Sequence, residues 1–295
     1  MPPTLAISNA RLKRLCMYLA LAIVLQLPAC ASIQQRPSQE SIQSYRELNQ
    51  QALRSFSAGK YEQAKQIWLS ALKKDPSSFK AYHNLGLSFL ALEEFAKAEQ
   101  AFTRALEIEE DFASALVNRA WARSQQGHWQ SAWQDLKQAA DIKPGDPVIN
   151  FNRGLIAAQY KSCAAALPYY TRAIEVRPQM GMAWNNRGVC RLETGDIDKA
   201  RADFSRAIEI RDDNPTFYFN RAVACERASA YAQAISDYTR SVNLNSSHAP
   251  SWYNRGLLRI SLNRMEKGCQ DLKQACLLGM CDELERLQSQ GVCPP

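Results

Sequence analysis

The chain has 295 residues, 46 % of them apolar and 22 % charged, with only 12 glycines and 13 prolines. That composition excludes a disordered chain, fits an all-β sandwich poorly and suits a helical globular protein. The net charge is +7, but Arg11, Lys13 and Arg14 sit in a segment expected to be removed, which leaves +4 with acids spread throughout. No basic stripe of the kind that binds nucleic acid results, and none is expected as a partner.

Residues 1–14 are basic without an acid, and Leu15 to Leu25 form an unbroken apolar run. A basic start and a short apolar core describe an export signal. Even extended to Ala29 the run reaches about 15 residues, short of the roughly 20 that a bilayer span needs. Leu27-Pro28-Ala29-Cys30 resembles the bacterial lipobox, with Pro28 departing from the usual residue at that place. The resemblance implies cleavage before Cys30, lipid on its sulfur and amino group, and a membrane anchor. Ala31 is not the Asp that, in this family's sorting rule, retains lipoproteins in the inner membrane. The expected location is therefore the periplasmic face of the outer membrane. Residues 31–44 are rich in Ser and Gln and are expected to form, after Cys30, a flexible tether spanning about 20 Å.

From residue 45 a period of 34 runs without insertion, with starts at 45, 79, 113, 147, 181, 215 and 249. The eighth position reads Ala52, Gly86, Ala120, Gly154, Gly188, Ala222 and Gly256. The twentieth is Ala or Gly, and the twenty-seventh Ala or Ser, in every repeat. The twenty-fourth is always large: Trp68, Phe102, Leu136, Tyr170, Phe204, Tyr238 and Leu272. Two helices cross closely only where both carry small side chains, and a large neighbour must then fill the space beside the crossing. This pattern resembles the tetratricopeptide repeat over residues 45–282. The resemblance implies an all-α fold: a right-handed α-solenoid of seven helical hairpins (45–78, 79–112, 113–146, 147–180, 181–214, 215–248 and 249–282). The first helix of each would line a concave groove, and residues 283–295 would form a cysteine-containing cap.

In that family the sixth and ninth positions face the groove. Here the sixth gives Asn84, Asn118, Asn152, Asn186, Asn220 and Asn254, and the ninth gives Leu87, Trp121, Leu155, Val189, Val223 and Leu257. An amide both donates and accepts, so the row can pair with the backbone of an extended peptide while the apolar row takes its side chains. Alternatively it ties helix to helix. The clamp for a terminal carboxylate found in some family members is not expected, because the second position offers Lys80 but otherwise Ser114, Val148, Met182, Thr216 and Pro250. The seventh position is Arg119, Arg153, Arg187, Arg221 and Arg255; the twenty-third supplies Asp135, Asp203, Asp237 and Asp271, with Tyr169 in the repeat of Arg153. The co-occurrence predicts structural ion pairs between packed helices: Arg119 with Asp135, Arg187 with Asp203, Arg221 with Asp237 and Arg255 with Asp271.

Seven cysteines follow Cys30, four of them in the last 27 residues. Their spacing lacks the paired C-x2-C of zinc sites, and disulfides are the default in an exported protein. Cys163 and Cys190 lie in adjacent repeats and can pair. Cys225 is expected as a buried thiol. Cys269 and Cys276 stand about 10.5 Å apart along one helix, beyond the roughly 7 Å a disulfide allows. Of the two pairings left, the nested one, Cys276 with Cys281 and Cys269 with Cys293, suits a turn at Gly279 and a returning cap.

No phosphate loop, dinucleotide motif, HExxH or nucleophile elbow is present, and His83, His128 and His248 are far apart. No cofactor, metal or catalysis is expected. The sequence reads as an envelope-anchored scaffold for protein partners. The alternatives are an envelope lipoprotein that binds peptidoglycan and, least supported, an enzyme with an unrecognised groove site.

Overall fold

The computed structural model describes residues 39–294. Cys30 and the export segment lie outside them. The described residues form fifteen helices and no strand. Seven antiparallel pairs follow one another: α1 (Gln39–Ser57) with α2 (Tyr61–Lys74), α3 (Phe79–Ala91) with α4 (Phe95–Ile108), α5 (Ala113–Gln125) with α6 (Trp129–Ile142), α7 (Pro147–Tyr160) with α8 (Cys163–Val176), α9 (Gly181–Glu193) with α10 (Ile197–Ile210), α11 (Pro215–Arg227) with α12 (Tyr231–Leu244), and α13 (Ala249–Ser261) with α14 (Met265–Leu277). A last helix, α15 (Asp282–Ser289), packs on α14. The chain is an all-α helical-repeat solenoid.

The boundary expected between the tether and α1 is corrected: the helix begins at Gln39. Residues 39–44, expected to belong to a flexible tether, are the first turns of α1. Gln and Glu are good helix formers, Glu40 sits where the helix N-terminus favours negative charge, and the Gln43 amide donates to Glu47 four residues on at 2.9 Å. An amphipathic helix already anchored at Tyr45 and Leu48 extends backwards through such residues at little cost.

Each hairpin is closed by the same contact. The large residue at the twenty-fourth position is buried in every repeat, from Trp68 and Phe102 to Tyr238 and Leu272. Where the eighth position is glycine, this side chain lies directly against it. A Cβ placed on Gly86 would stand 2.6 Å from the Phe102 ring, and one on Gly154 2.5 Å from that of Tyr170. Burying one such aromatic side chain is worth about 1.5–3 kcal/mol. No hairpin buries its second face alone, so apolar clusters bridge neighbours: Phe102, Leu106, Leu116 and Ile149 form one across three repeats.

First helices of consecutive repeats touch (α3 with α5, α5 with α7, α7 with α9, α9 with α11), which puts them on the inner wall of the curve. Six of the seven intra-hairpin turns carry one residue at positive φ: Gly59, Glu93, Gly127, Gly195, Ser229 and Asn263. The fourth turn differs. Lys161 has φ −120° and Ser162 is extended, its hydroxyl capping α8 by accepting from the Ala165 amide.

Candidate functional site: the concave groove and its supports

Three hollows follow one another along the wall of first helices. One of about 390 Å³ is lined by His83, Val117, Asn118 and Val148. The next, about 600 Å³, is walled by Trp121, Phe151, Leu155, Met182, Asn186 and Val189. A third, about 610 Å³, is framed by Val223, Glu226, Arg227, Tyr238, Asn254 and Leu257. Trp121 and Met182 are the most open apolar groups in the second, at 43 % and 45 % exposed. The structure thus brings five of the six apolar ninth-position residues to these hollows or their rims; Leu87 instead packs on the core cluster around Phe102.

The asparagine row is not a uniform ladder of open amides. Asn118 donates to the His83 ring at 2.9 Å. Asn152 donates to the Val148 carbonyl of its own helix at 2.8 Å. Asn220 donates to Asn185 of the preceding repeat at 2.8 Å, and Asn185 donates to Asn186 at 3.0 Å. Asn186 meets the Tyr170 phenol, and Asn254 donates to that of Tyr238 at 3.4 Å. Burial pushes the Tyr170 phenol up to about 12, so it stays a neutral partner. The tying role foreseen as the alternative is therefore present in several of these residues. An amide has two donors and an acceptor oxygen, so one internal bond does not exhaust it.

Behind the groove, arginine and aspartate interlock. Nε and Nη2 of Arg119, Arg187, Arg221 and Arg255 donate side-on to Asp135, Asp203, Asp237 and Asp271 at 2.7–3.0 Å. The third nitrogen, Nη1, reaches a hydroxyl of the preceding repeat: Thr103, Thr171, Ser205 or Thr239. One planar fork therefore joins three helices across a repeat boundary. The aspartates are 1–3 % exposed. Sequence reasoning missed a second cation: Arg123, Arg191 and Arg259, four residues after the first arginine, also reach Asp135, Asp203 and Asp271. The signal was available, since all three stand at the eleventh position. In the sixth repeat that position is Cys225, a buried free thiol raised by burial, and Gln233 donates to Asp237 there instead at 3.1 Å.

The cysteines form three disulfides: Cys163 with Cys190, Cys269 with Cys293 and Cys276 with Cys281. The first joins α8 to α9 in the wall of the second hollow. The other two staple α15 and the tail to α14. Among the described residues no group of three His, Cys, Asp or Glu is placed to hold a metal ion.

Models of the tetratricopeptide repeat match residues 79–112, 151–215 and 249–278. The chain is a tetratricopeptide repeat protein. A solved tetratricopeptide protein from Parabacteroides merdae is 21 % identical and covers 84 % of this chain and 98 % of its own, with a TM-score of 0.64. PilW, described as a widely conserved type IV pilus biogenesis factor, is 18 % identical over 71 % of this chain and 98 % of its own, at 0.65. Among curated proteins, serine/threonine-protein phosphatase 5 of Rattus norvegicus is 28 % identical over 110 residues, 37 % of this chain. The tetratricopeptide protein spans only 22 % of that relative's length, and the relative's activity does not carry across. At these identities the solved structures establish the fold.

Proposed function

We propose that this tetratricopeptide protein is a non-catalytic scaffold that holds extended segments of partner proteins in its concave groove, fastened to the bacterial cell envelope by lipid on Cys30. The observation that carries the binding reading is the run of three hollows on one wall, where apolar side chains alternate with amides. Exposed Trp121 and Met182 offer an apolar seat that a large side chain would cover. Amide groups beside them can satisfy a peptide backbone regardless of its sequence. PilW's description as a pilus biogenesis factor suits a scaffold for envelope assembly, and the lipobox-like segment supplies the anchor.

A photo-crosslinking residue placed at Trp121 or Met182 in the native host tests the groove. A discrete set of partner proteins attached there, and absent when the probe stands at exposed Lys267 on α14, is the expected result. Attachment only at Lys267 would move binding off the groove. Treatment with muramidase before capture separates proteins held directly from those held through glycan. For the anchor, a fatty-acid probe should label the wild type and not Cys30→Ala; equal labelling of both would remove the lipid from the proposal.

A further inference from the structure

Five repeats place arginine at the seventh position, and four of the five forks close on an aspartate and a hydroxyl. The fourth repeat supplies neither. Tyr169 stands where the aspartate would be, and Lys137 where the hydroxyl would be. The Arg153 guanidinium lies instead 4.4 Å from the centroid of Tyr169 and 5.5 Å from that of Trp133. Its Nε is buried without a hydrogen-bond partner, a costly state for a charged donor. The neighbouring turn is also the one that departs from the other six, and it carries Lys161 over the same indole, Nζ 3.9 Å from its centroid. Two cations thus share one ring, and among the described residues neither has an ion pair with an acid of this chain.

We propose that this junction of repeats three and four receives a carboxylate side chain from a partner protein. Stacking occupies the faces of a guanidinium and leaves its in-plane N–H edge for an anion, so the two interactions do not compete. Arg153 and the two rings are half-buried and Lys161 is exposed. Nε itself is closed off, so the terminal N–H groups of the guanidinium are the part a carboxylate would meet while the surroundings stay partly dry. A carboxylate rather than a phosphate fits, because the same arginine in the same register holds a carboxylate in the four sister repeats. An anion here also relieves the repulsion between the two cations. The proposal rests on the reading of the chain as a protein-binding scaffold, but not on the groove.

Its test uses the full chain and fluorescein-labelled hexaglutamate, with binding followed by anisotropy at low salt. Arg153→Met, which keeps an apolar stem, is expected to weaken binding at least tenfold, and Lys161→Met several-fold. Tyr169→Asp is the decisive variant. It supplies the missing carboxylate from within, as Asp203 does for Arg187, so it should abolish hexaglutamate binding while raising the melting temperature. Trp121→Ala in the groove should leave hexaglutamate binding unchanged, which separates failure of this site from failure of the groove. Undiminished binding in both Arg153→Met and Tyr169→Asp would overturn the proposal, as a diffuse basic surface gives that result. Inorganic phosphate binding more tightly than hexaglutamate, and lost with Arg153→Met, would also overturn it in favour of a small oxyanion site.

Discussion

Asp203 and Asp237 occupy the same place in adjacent repeats, yet losing the arginine beside each should cost different amounts. Asp203, 1 % exposed, is held by Arg187 through two bonds of 2.9 and 2.8 Å and by Arg191 at 2.8 Å. Asp237, 2 % exposed, is held by Arg221 through two bonds of 2.8 Å. Its other donor is the neutral Gln233 amide at 3.1 Å, because Cys225 stands where the second arginine would be. Removing Arg187 leaves a buried carboxylate with a cation; removing Arg221 leaves one with an amide. A buried charge stripped of its partner costs about 3–5 kcal/mol, and a hydrogen bond to a charged group is worth roughly 1 kcal/mol more than a neutral one. Arg221→Leu should therefore destabilise by about 3–5 kcal/mol and Arg187→Leu by about 1 kcal/mol less. Adding Asp237→Leu to Arg221→Leu should recover part of the loss, since no orphaned charge then remains. Urea unfolding followed by circular dichroism measures the order, with amide exchange in α11 and α12 reporting the local effect, because a solenoid need not unfold as one unit. A cost for Arg187→Leu equal to or above that of Arg221→Leu would refute the reasoning.

Three further outcomes follow from other parts of the stack. Burial holds the His83 and His248 imidazoles below their ordinary value of 6.5, so the folded chain binds fewer protons than the unfolded chain once the pH drops under that value. Stability should be intact above 6.5 and fall as the solution is acidified towards the depressed folded values, and the double change His83→Gln with His248→Gln should flatten that slope in a pH series of thermal melts. Phe102→Ala removes a fully buried ring from the hairpin closure and should cost about 3–5 kcal/mol by urea titration. Replacing Cys269 and Cys293 together by Ser opens a loop closed over a separation of 24 residues and should cost about 3 kcal/mol, seen as early proteolysis of α15, whereas replacing Cys276 and Cys281, only five apart, should cost less.

What could be read from the sequence divides by whether a residue's environment repeats every 34 positions. Gly86 against Phe102 and Gly188 against Phe204 are one contact made again in each hairpin, so composition at a fixed register was enough to locate it. The Arg–Asp register was readable for the same reason. The asparagines share a register too, but their bonds do not repeat. Asn118 finds His83 because His83 occurs once, and Asn220 finds Asn185 because, among the six repeats with a sixth-position asparagine, only the fifth has an amide at the fifth position. Side-chain partners drawn from non-periodic neighbours are invisible to a periodic argument. The turn at Lys161 was hidden likewise, since six hairpins turn through positive φ and only this one does not. The helical start at Gln39 escaped because polar composition resembles a tether until an amphipathic helix begins immediately after it.

The same division bears on how the groove would select a partner. If the amides were all open, recognition would rest on backbone hydrogen bonds and would ignore sequence. Asn118, Asn152, Asn220 and Asn254 each use an amide donor within the chain, which shifts weight to features that differ from repeat to repeat. Those are the apolar seat around Trp121 and Met182, and the carboxylate of Glu226 in the third hollow, which accepts from the Tyr238 hydroxyl at 2.9 Å. Burial and that carboxylate both push the Tyr238 phenol up, so it stays a neutral donor to Glu226. A scaffold whose frame is periodic can thus carry specificity only where the period is broken. The departures of the fourth and sixth repeats, Tyr169 for Asp and Cys225 for Arg, lie in the layer that joins repeats rather than in the groove. In the fourth, Arg153 stacks on Tyr169 and Trp133 in place of an aspartate. In the sixth, Arg221 keeps both Asp237 and Ser205 and lacks only the second cation beside it, so the hairpin contacts are intact in both and the interlock is missing in the fourth repeat alone.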